Sequence, residues 1–143
     1  MRALLLLFAL ALPAAAGEIE DLVLALGDDD YEKREKAADR LLEIGAPAIP
    51  ALREAAKSED AEVRAKATRA LALIEWRTAL PPAFLAKYPE APAEILTADD
   101  ETLVRWVQML GMTCPGAEAV APAMRFLDLG TGRIRKDALL LVS

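Results

Sequence analysis

The sequence predicts an all-α protein, an α-solenoid in which antiparallel helix pairs stack into a superhelix. Two observations carry this prediction. A pattern in residues 28–74 recurs after 30 residues, and in each copy the apolar residues follow the spacing of one face of an α-helix. Tandem helical repeats are typical of solenoids, in which each helix pair buries its apolar face against its neighbour.

The repeat becomes visible when the sequence is shifted by 30 residues. Within each copy an arginine, an alanine, a leucine and an isoleucine lie at offsets 0, +3, +7 and +10, which places them on one helix face. The coinciding residues are Asp30 with Asp60, Arg34 with Arg64, Lys36 with Lys66, Ala37 with Ala67, Leu41 with Leu71, and Ile44 with Ile74.

Residues 1–16 have the composition of a secretory signal peptide. Arg2 gives a positive start, ten apolar residues follow, Pro13 interrupts them, and small residues precede a predicted cleavage after Ala16. A permanent anchor is the alternative, but ten apolar residues are too few to cross a bilayer, which needs about 20. We therefore expect export to a periplasm or out of the cell, without stable membrane insertion after cleavage.

Four helices are predicted in the first two repeats, which cover about residues 18–45 and 46–76. They span residues 18–26, residues 31–44, a stretch opening at residue 46, and residues 61–75. Gly45 is the expected C-cap of the second helix, and the aspartates at positions 28–30 are expected to cap its start.

The pattern weakens over residues 77–111, where four prolines limit the predicted helices to short segments at 83–88 and 93–96. A longer helix is predicted for residues 101–110, preceded by a capping box at 97–100 and ended by Gly111. A partial repeat is predicted for residues 116–143, because Pro122-Ala123-Met124 matches Pro50-Ala51-Leu52.

The stretch GAPAIPAL at residues 45–52, followed by Asp60 and Val63-Arg64, resembles a HEAT repeat of the compact bacterial type. The resemblance implies a right-handed superhelix and a polar ladder between a turn aspartate, here Asp28, and Arg34. Ser58 occupies the aspartate position of the next repeat, so Asp60 is the expected substitute. The tetratricopeptide alternative lacks its W-x2-L-G pattern. The repeat-signature residues are Asp28, Arg34, Leu41, Ile44, Pro50, Asp60, Arg64, Leu71 and Ile74.

Composition excludes several classes of function. The chain has no histidine and one cysteine, Cys114, so histidine-dependent triads and Cys/His zinc sites cannot form. The net charge of −6 argues against a nucleic-acid surface. The run at residues 28–30 lacks the ligand spacing of a calcium loop, and helix capping explains it better. We predict no catalytic, cofactor or metal site.

The predicted function is a non-catalytic interaction or scaffold module for an unidentified protein partner. Its candidate binding face is the charged row formed by Lys36, Asp39, Arg40, Lys66 and Arg69, for which a merely solvated surface is the alternative. Two other functions remain open: a structural segment of a larger exported protein truncated at residue 143, and an enzyme of unrecognised type, similar to lyase-like HEAT proteins. The tryptophans at 76 and 106 are predicted to be core or connector residues, with interface anchors as the alternative.

Overall fold

The computed structural model describes residues 12–129, in which all regular structure is helical. The predicted all-α class is therefore confirmed. Eight α-helices and two 3₁₀ turns occur within these residues. The helices are α1 Leu12–Ala25, α2 Tyr31–Ile44, α3 Ile49–Ala55, α4 Ala61–Ala79, α5 Pro82–Lys87, α6 Ala91–Thr97, α7 Asp100–Thr113 and α8 Val120–Leu129, and the turns are Ala46–Ala48 and Ala117–Ala119.

The chain divides into two compact units at a boundary between Ile74 and Glu75, which falls inside α4. The first unit contains α1, α2, α3 and most of α4. The second contains the end of α4 and helices α5 to α8. Each unit encloses an apolar core of its own.

Leucines spaced along three successive segments form the centre of the first core. Leu26, Leu41 and Leu52 have no exposed surface, and Ile74 is almost completely buried. Complete burial of one such side chain favours folding by about 1.5–3 kcal/mol. Leu71, the repeat partner of Leu41, is half-buried and packs against the same core. The predicted inward face of the repeat is thus the face that the structure buries.

The ends of α2 follow the predicted capping. Asp30 accepts a hydrogen bond from the N–H of Glu32 at 2.9 Å, which satisfies a first-turn donor. Gly45 has a φ of +71°, which glycine adopts without strain, and its N–H donates to the carbonyl of Leu41 at 3.0 Å. The chain then makes the 3₁₀ turn Ala46–Ala48, so the predicted third helix begins as α3 only at Ile49.

Three predicted helix ends were wrong. α1 already includes residues 12–17, ahead of its predicted start at residue 18, α4 continues to Ala79 rather than 75, and α7 continues past Gly111 to Thr113. α4 and α7 each extend until a strong breaker stops them. The backbone of a residue before proline disfavours helix, and prolines follow α4 and α7 at positions 81 and 115. A single glycine costs a helix only about 1 kcal/mol and did not end α7.

Aromatic side chains fill the core of the second unit. Trp76 and Trp106 are both 3% exposed, which confirms the prediction that they are core residues. The ring centroids of Trp76 and Phe126 are 4.9 Å apart, and those of Phe84 and Trp106 are 6.0 Å apart. The prolines keep α5 and α6 to two turns or fewer, as predicted, and α5 supplies Phe84 to this core.

Two predicted segments extend beyond the described residues. Residues 1–11 of the predicted signal peptide and residues 130–143 of the predicted last repeat lie outside them. The predicted cleavage position after Ala16 falls within α1. Among residues 12–129, no helix has both the length and the apolar character needed to cross a membrane.

Candidate functional site

The turn before α2 is held by hydrogen bonds from side chains to the main chain. Asp28 Oδ1 accepts from the N–H of Asp30 at 2.9 Å, and Asp28 Oδ2 lies 3.3 Å from the ammonium of Lys33. The N–H of Asp30 and then the Lys33 ammonium lower the pKa of the Asp28 carboxyl. The turn therefore holds Asp28 in its charged form.

The turn before α4 repeats this arrangement with different chemistry. Ser58 Oγ, in the place of Asp28, accepts from the N–H of Asp60 at 3.2 Å. Asp60 Oδ1 accepts from the N–H of Glu62 at 2.8 Å and from that of Val63 at 3.2 Å. The serine therefore preserves the turn, and Asp60 caps α4.

The repeat arginines bind main-chain carbonyls rather than the turn carboxylates. Arg34 Nη1 donates to the carbonyls of Asp28 at 2.7 Å and Asp29 at 3.0 Å. Arg64 donates to the carbonyls six and five positions before it, at 2.6 and 3.1 Å. This corrects the implied ladder between the aspartate side chain and the arginine, and the expected substitution by Asp60. A carbonyl is present whatever the side chain, so Ser58 leaves the Arg64 contact intact.

Two ion pairs join α2 to α4. Arg34 Nε lies 2.7 Å from Glu62 Oε1, although its N–H is not directed along a hydrogen bond. Lys66 donates a hydrogen bond to Glu35. This bond is the main reason why the pKa of Glu35 lies below its ordinary value. These two contacts therefore join the N-terminal halves of α2 and α4.

Between these two helices lies an open groove with a volume of about 410 Å³. Small side chains, Ala38 and Ala70, stand among larger charged ones along its length. The lining residues are Tyr31, Glu35, Ala38, Asp39 and Leu42 from α2, and Lys66, Arg69, Ala70 and Leu73 from α4.

Three residues of the predicted binding face line this groove: Asp39, Lys66 and Arg69. Sequence analysis did not single out Tyr31 and Glu35, which also line it. Their spacing contained a usable signal, because residues 31, 35 and 39 follow at intervals of four and therefore form one stripe along α2. Whether this face binds a partner remains a prediction.

The other two residues of the predicted face do not line the groove. Lys36 is 79% exposed and lies 3.7 Å from Glu32 within its own helix. Arg40 contacts Glu18 of α1 at 2.8 Å and Glu43 at 2.9 Å. Only three of the five residues of the predicted binding face therefore share the groove.

The groove offers an exposed aromatic ring and two charged groups, Asp39 and Arg69, of which Arg69 contributes through its charge to the lowered pKa of Glu35. Tyr31 is 64% exposed, and the charged ends of Arg34 and Lys66 each lie 5.7 Å from its ring centroid. Asp39 and Arg69 are exposed on different walls, and within residues 12–129 neither forms an ion pair or hydrogen bond. A ligand can therefore reach both charges without displacing an existing contact.

Comparison with protein families matches HEAT repeats to residues 19–111, well over half of the chain. The chain belongs to the HEAT-repeat family. No curated protein and no solved structure matches it. HEAT repeats generally mediate protein–protein interaction, and the groove lies within the matched part of this HEAT-repeat chain.

The described residues contain few side chains suited to catalysis or metal binding. The thiol of Cys114 is buried, and this burial, followed by the charge of Glu118, raises its pKa. It therefore stays protonated at neutral pH. Among residues 12–129, no three acidic or cysteine side chains are grouped so that they could hold a metal ion.

Replacing the first repeat arginine should destabilise the protein more than replacing the second. Arg34→Ala leaves two carbonyls and a carboxylate without their partner at a half-buried site, and we expect a loss of about 1.5–3 kcal/mol. Arg64 is exposed, so water replaces it, and Arg64→Ala should cost below about 1 kcal/mol. Urea unfolding followed by circular dichroism measures both. Lys33→Ala is the control, and equal losses for the two arginines would contradict the assignment.

The Glu35–Lys66 contact should make stability depend on pH. Because the folded-state pKa of Glu35 is lowered, its contribution is present above the unfolded value and is lost as the pH falls through the folded value. Glu35→Gln should therefore melt below the wild type at neutral pH, and the two should converge on acidification. Thermal melting from neutral pH to about pH 3 tests this. Glu32→Gln, which affects an exposed pair within α2, is the control; a constant difference at all pH values would refute the role of Glu35.

Proposed function

We propose that this protein is exported and that the groove between α2 and α4 binds a segment of another protein without catalysing a reaction. The observation that carries the proposal is the set of free groups in the groove. Exposed Asp39 and Arg69 form no ion pair or hydrogen bond within residues 12–129, and they share the groove with the exposed ring of Tyr31.

The size and lining of the groove suit a peptide segment. A volume of about 410 Å³ accommodates a few side chains, and small ligand sites span roughly 300–1,000 Å³. Tyrosine and arginine are the residue types that most often dominate the energy of protein interfaces, and Tyr31 and Arg69 both line this groove. Ala38 and Ala70 leave the space between the walls.

Absence of catalysis is supported by the available side chains. The chain has no histidine, and its single thiol has a raised pKa. Of the acidic groups that line the groove, Glu35 accepts a hydrogen bond from Lys66, which lowers its pKa and favours its charged form. General acid–base catalysis needs a pair of groups whose pKa values are driven apart by their surroundings.

Export is supported by the order of residues 1–16: a positive start, an apolar run, a proline and small residues before the predicted cleavage position. A binding module in a periplasm or outside the cell needs no histidine, cofactor or metal. The net charge of −6 favours a protein partner over nucleic acid.

Blocking the groove should abolish partner capture. In Leu73→Arg a long charged side chain enters the groove. We expect the capture of proteins from the compartment to which this protein is exported to fall by at least about tenfold. Quantitative mass spectrometry of the captured proteins measures it. Lys36→Glu, outside the groove on α2, should capture as the wild type does. Circular dichroism checks that both variants keep their helices, and equal capture by all three proteins would argue against the groove.

Removing residues 1–16 should leave the protein in the cytoplasm, because the apolar run that directs export is lost. Leu6→Arg places a charge in this run and should also block export. The exported wild type should begin at Gly17 when its N terminus is sequenced. Cell fractionation provides the readout, and Glu20→Gln, beyond the predicted cleavage position, serves as the control. Export of the shortened chain, or an exported protein that retains Met1, would refute the localisation.

A further inference from the structure

We propose that the groove selects an extended peptide segment of mixed charge, with an acidic side chain that meets Arg69 and a basic side chain that meets Asp39. This inference rests on the proposed protein-binding function and adds the chemical class of the segment. It follows from the charges that line the two helices.

The four charged residues of the groove fall into two sets. Glu35 and Lys66 hydrogen-bond to each other and so neutralise one another. Asp39 on α2 and Arg69 on α4 remain exposed and unpaired within the described part of the chain. The groove thus presents on one wall a negative charge and on the other a positive charge that form no ion pair or hydrogen bond within the described residues, although Arg69 also acts on Glu35 through its charge.

This distribution disfavours segments that carry charge of one sign. A purely acidic segment would be attracted by Arg69 but repelled by Asp39. A purely basic segment would be attracted by Asp39 but repelled by Arg69. Like charges brought together at an interface repel each other, so they act against wrong partners. A segment with one charge of each sign can place its acidic side chain against Arg69 and its basic side chain against Asp39.

The groove is apolar one helical turn further along. Leu42 follows Asp39 by three residues and Leu73 follows Arg69 by four, so each leucine lies on the same helix face as the charge before it. Four helical residues rise about 6 Å. Alternate side chains of an extended segment lie about 6.6–6.8 Å apart, close to that rise. An apolar side chain two positions from the charged residues therefore fits against the leucines.

The other end of the groove adds an aromatic contact. Tyr31 precedes Asp39 by eight residues on α2, about two helical turns, and its ring is 64% exposed. Lys66 and Arg34 lie against this ring and hold it in position. The complementary segment is therefore charged in its middle and apolar at both ends.

Selection of peptides tests the proposal without knowledge of the natural partner. A library of random 12-residue peptides displayed on phage is selected on the immobilised full-length protein. We expect the enriched peptides to combine an acidic and a basic residue with an apolar residue two positions away. Affinities of a synthetic enriched peptide are then measured for the wild type, Arg69→Glu, Asp39→Lys and the control Lys36→Glu.

Each charge reversal should weaken this peptide at least about tenfold, whereas Lys36→Glu should leave its affinity unchanged. A second peptide, in which the acidic residue is replaced by lysine, should regain affinity for Arg69→Glu. Such rescue requires a direct contact between the two charges and would not follow from a purely structural role of Arg69.

Two other results would overturn the proposal in distinguishable ways. Peptides without charge that still bind Arg69→Glu and Asp39→Lys, but not Leu73→Arg, would refute charge selection and leave protein binding in the groove intact. Enriched peptides that bind Leu73→Arg as well as the wild type would place recognition outside the groove, and both the inference and the proposed site would then fall.

Discussion

The helices of the first unit are stable only because they bury apolar faces against one another. α3 has seven residues, and isolated helices shorter than about 12–15 residues are marginal in water. The 30-residue repeat meets this requirement, because it brings Leu41 of α2 and Leu71 of α4 to equivalent positions in helices that contribute to a common core. Leu26, directly after α1, and Leu52 of α3 complete that core and have no exposed surface. The turns, the caps and the groove all depend on this packing, since each is positioned by helices that would not persist alone.

The polar contacts repeat with the same period but tolerate more change in sequence. Arg34 and Arg64 both donate to carbonyls of the preceding turn, and a carbonyl is supplied by every residue type. The partner oxygen therefore survives the exchange of Asp28 for Ser58, and the serine hydroxyl takes over the remaining hydrogen bond of the turn. A repeat family can thus keep an arginine while its turn residues vary. The family resemblance identified Arg34 correctly but assigned the Asp28 side chain as its partner, whereas Arg34 donates to main-chain carbonyls.

Much of the first unit could be predicted because it depends on local rules. Periodicity identified Leu41 and Ile74 as core residues, and the glycine rule placed the end of α2 at Gly45. The end of α4 was missed because packing carries a helix on until a strong breaker appears. The groove was predicted only in part, because residues at the same position of the repeat can have different neighbours in the structure. Lys66 of α4 donates a hydrogen bond to Glu35 of α2, the equivalent helix of the previous repeat. Within residues 12–129 no equivalent helix precedes α2, and Lys36 lies near Glu32 of its own helix instead.

The groove arises where the two copies of the repeat differ. Ala70 helps to open it, and the counterpart 30 residues earlier is Arg40, a long side chain that contacts α1. Asp39 and Arg69 are also counterparts, and their opposite charges give the two walls opposite sign. Apolar residues that match between copies form the core, and an identical charge on both walls would produce a groove of one sign. The repeat thus supplies the scaffold, while its departures from exact repetition determine both the space between the helices and the class of ligand that suits it.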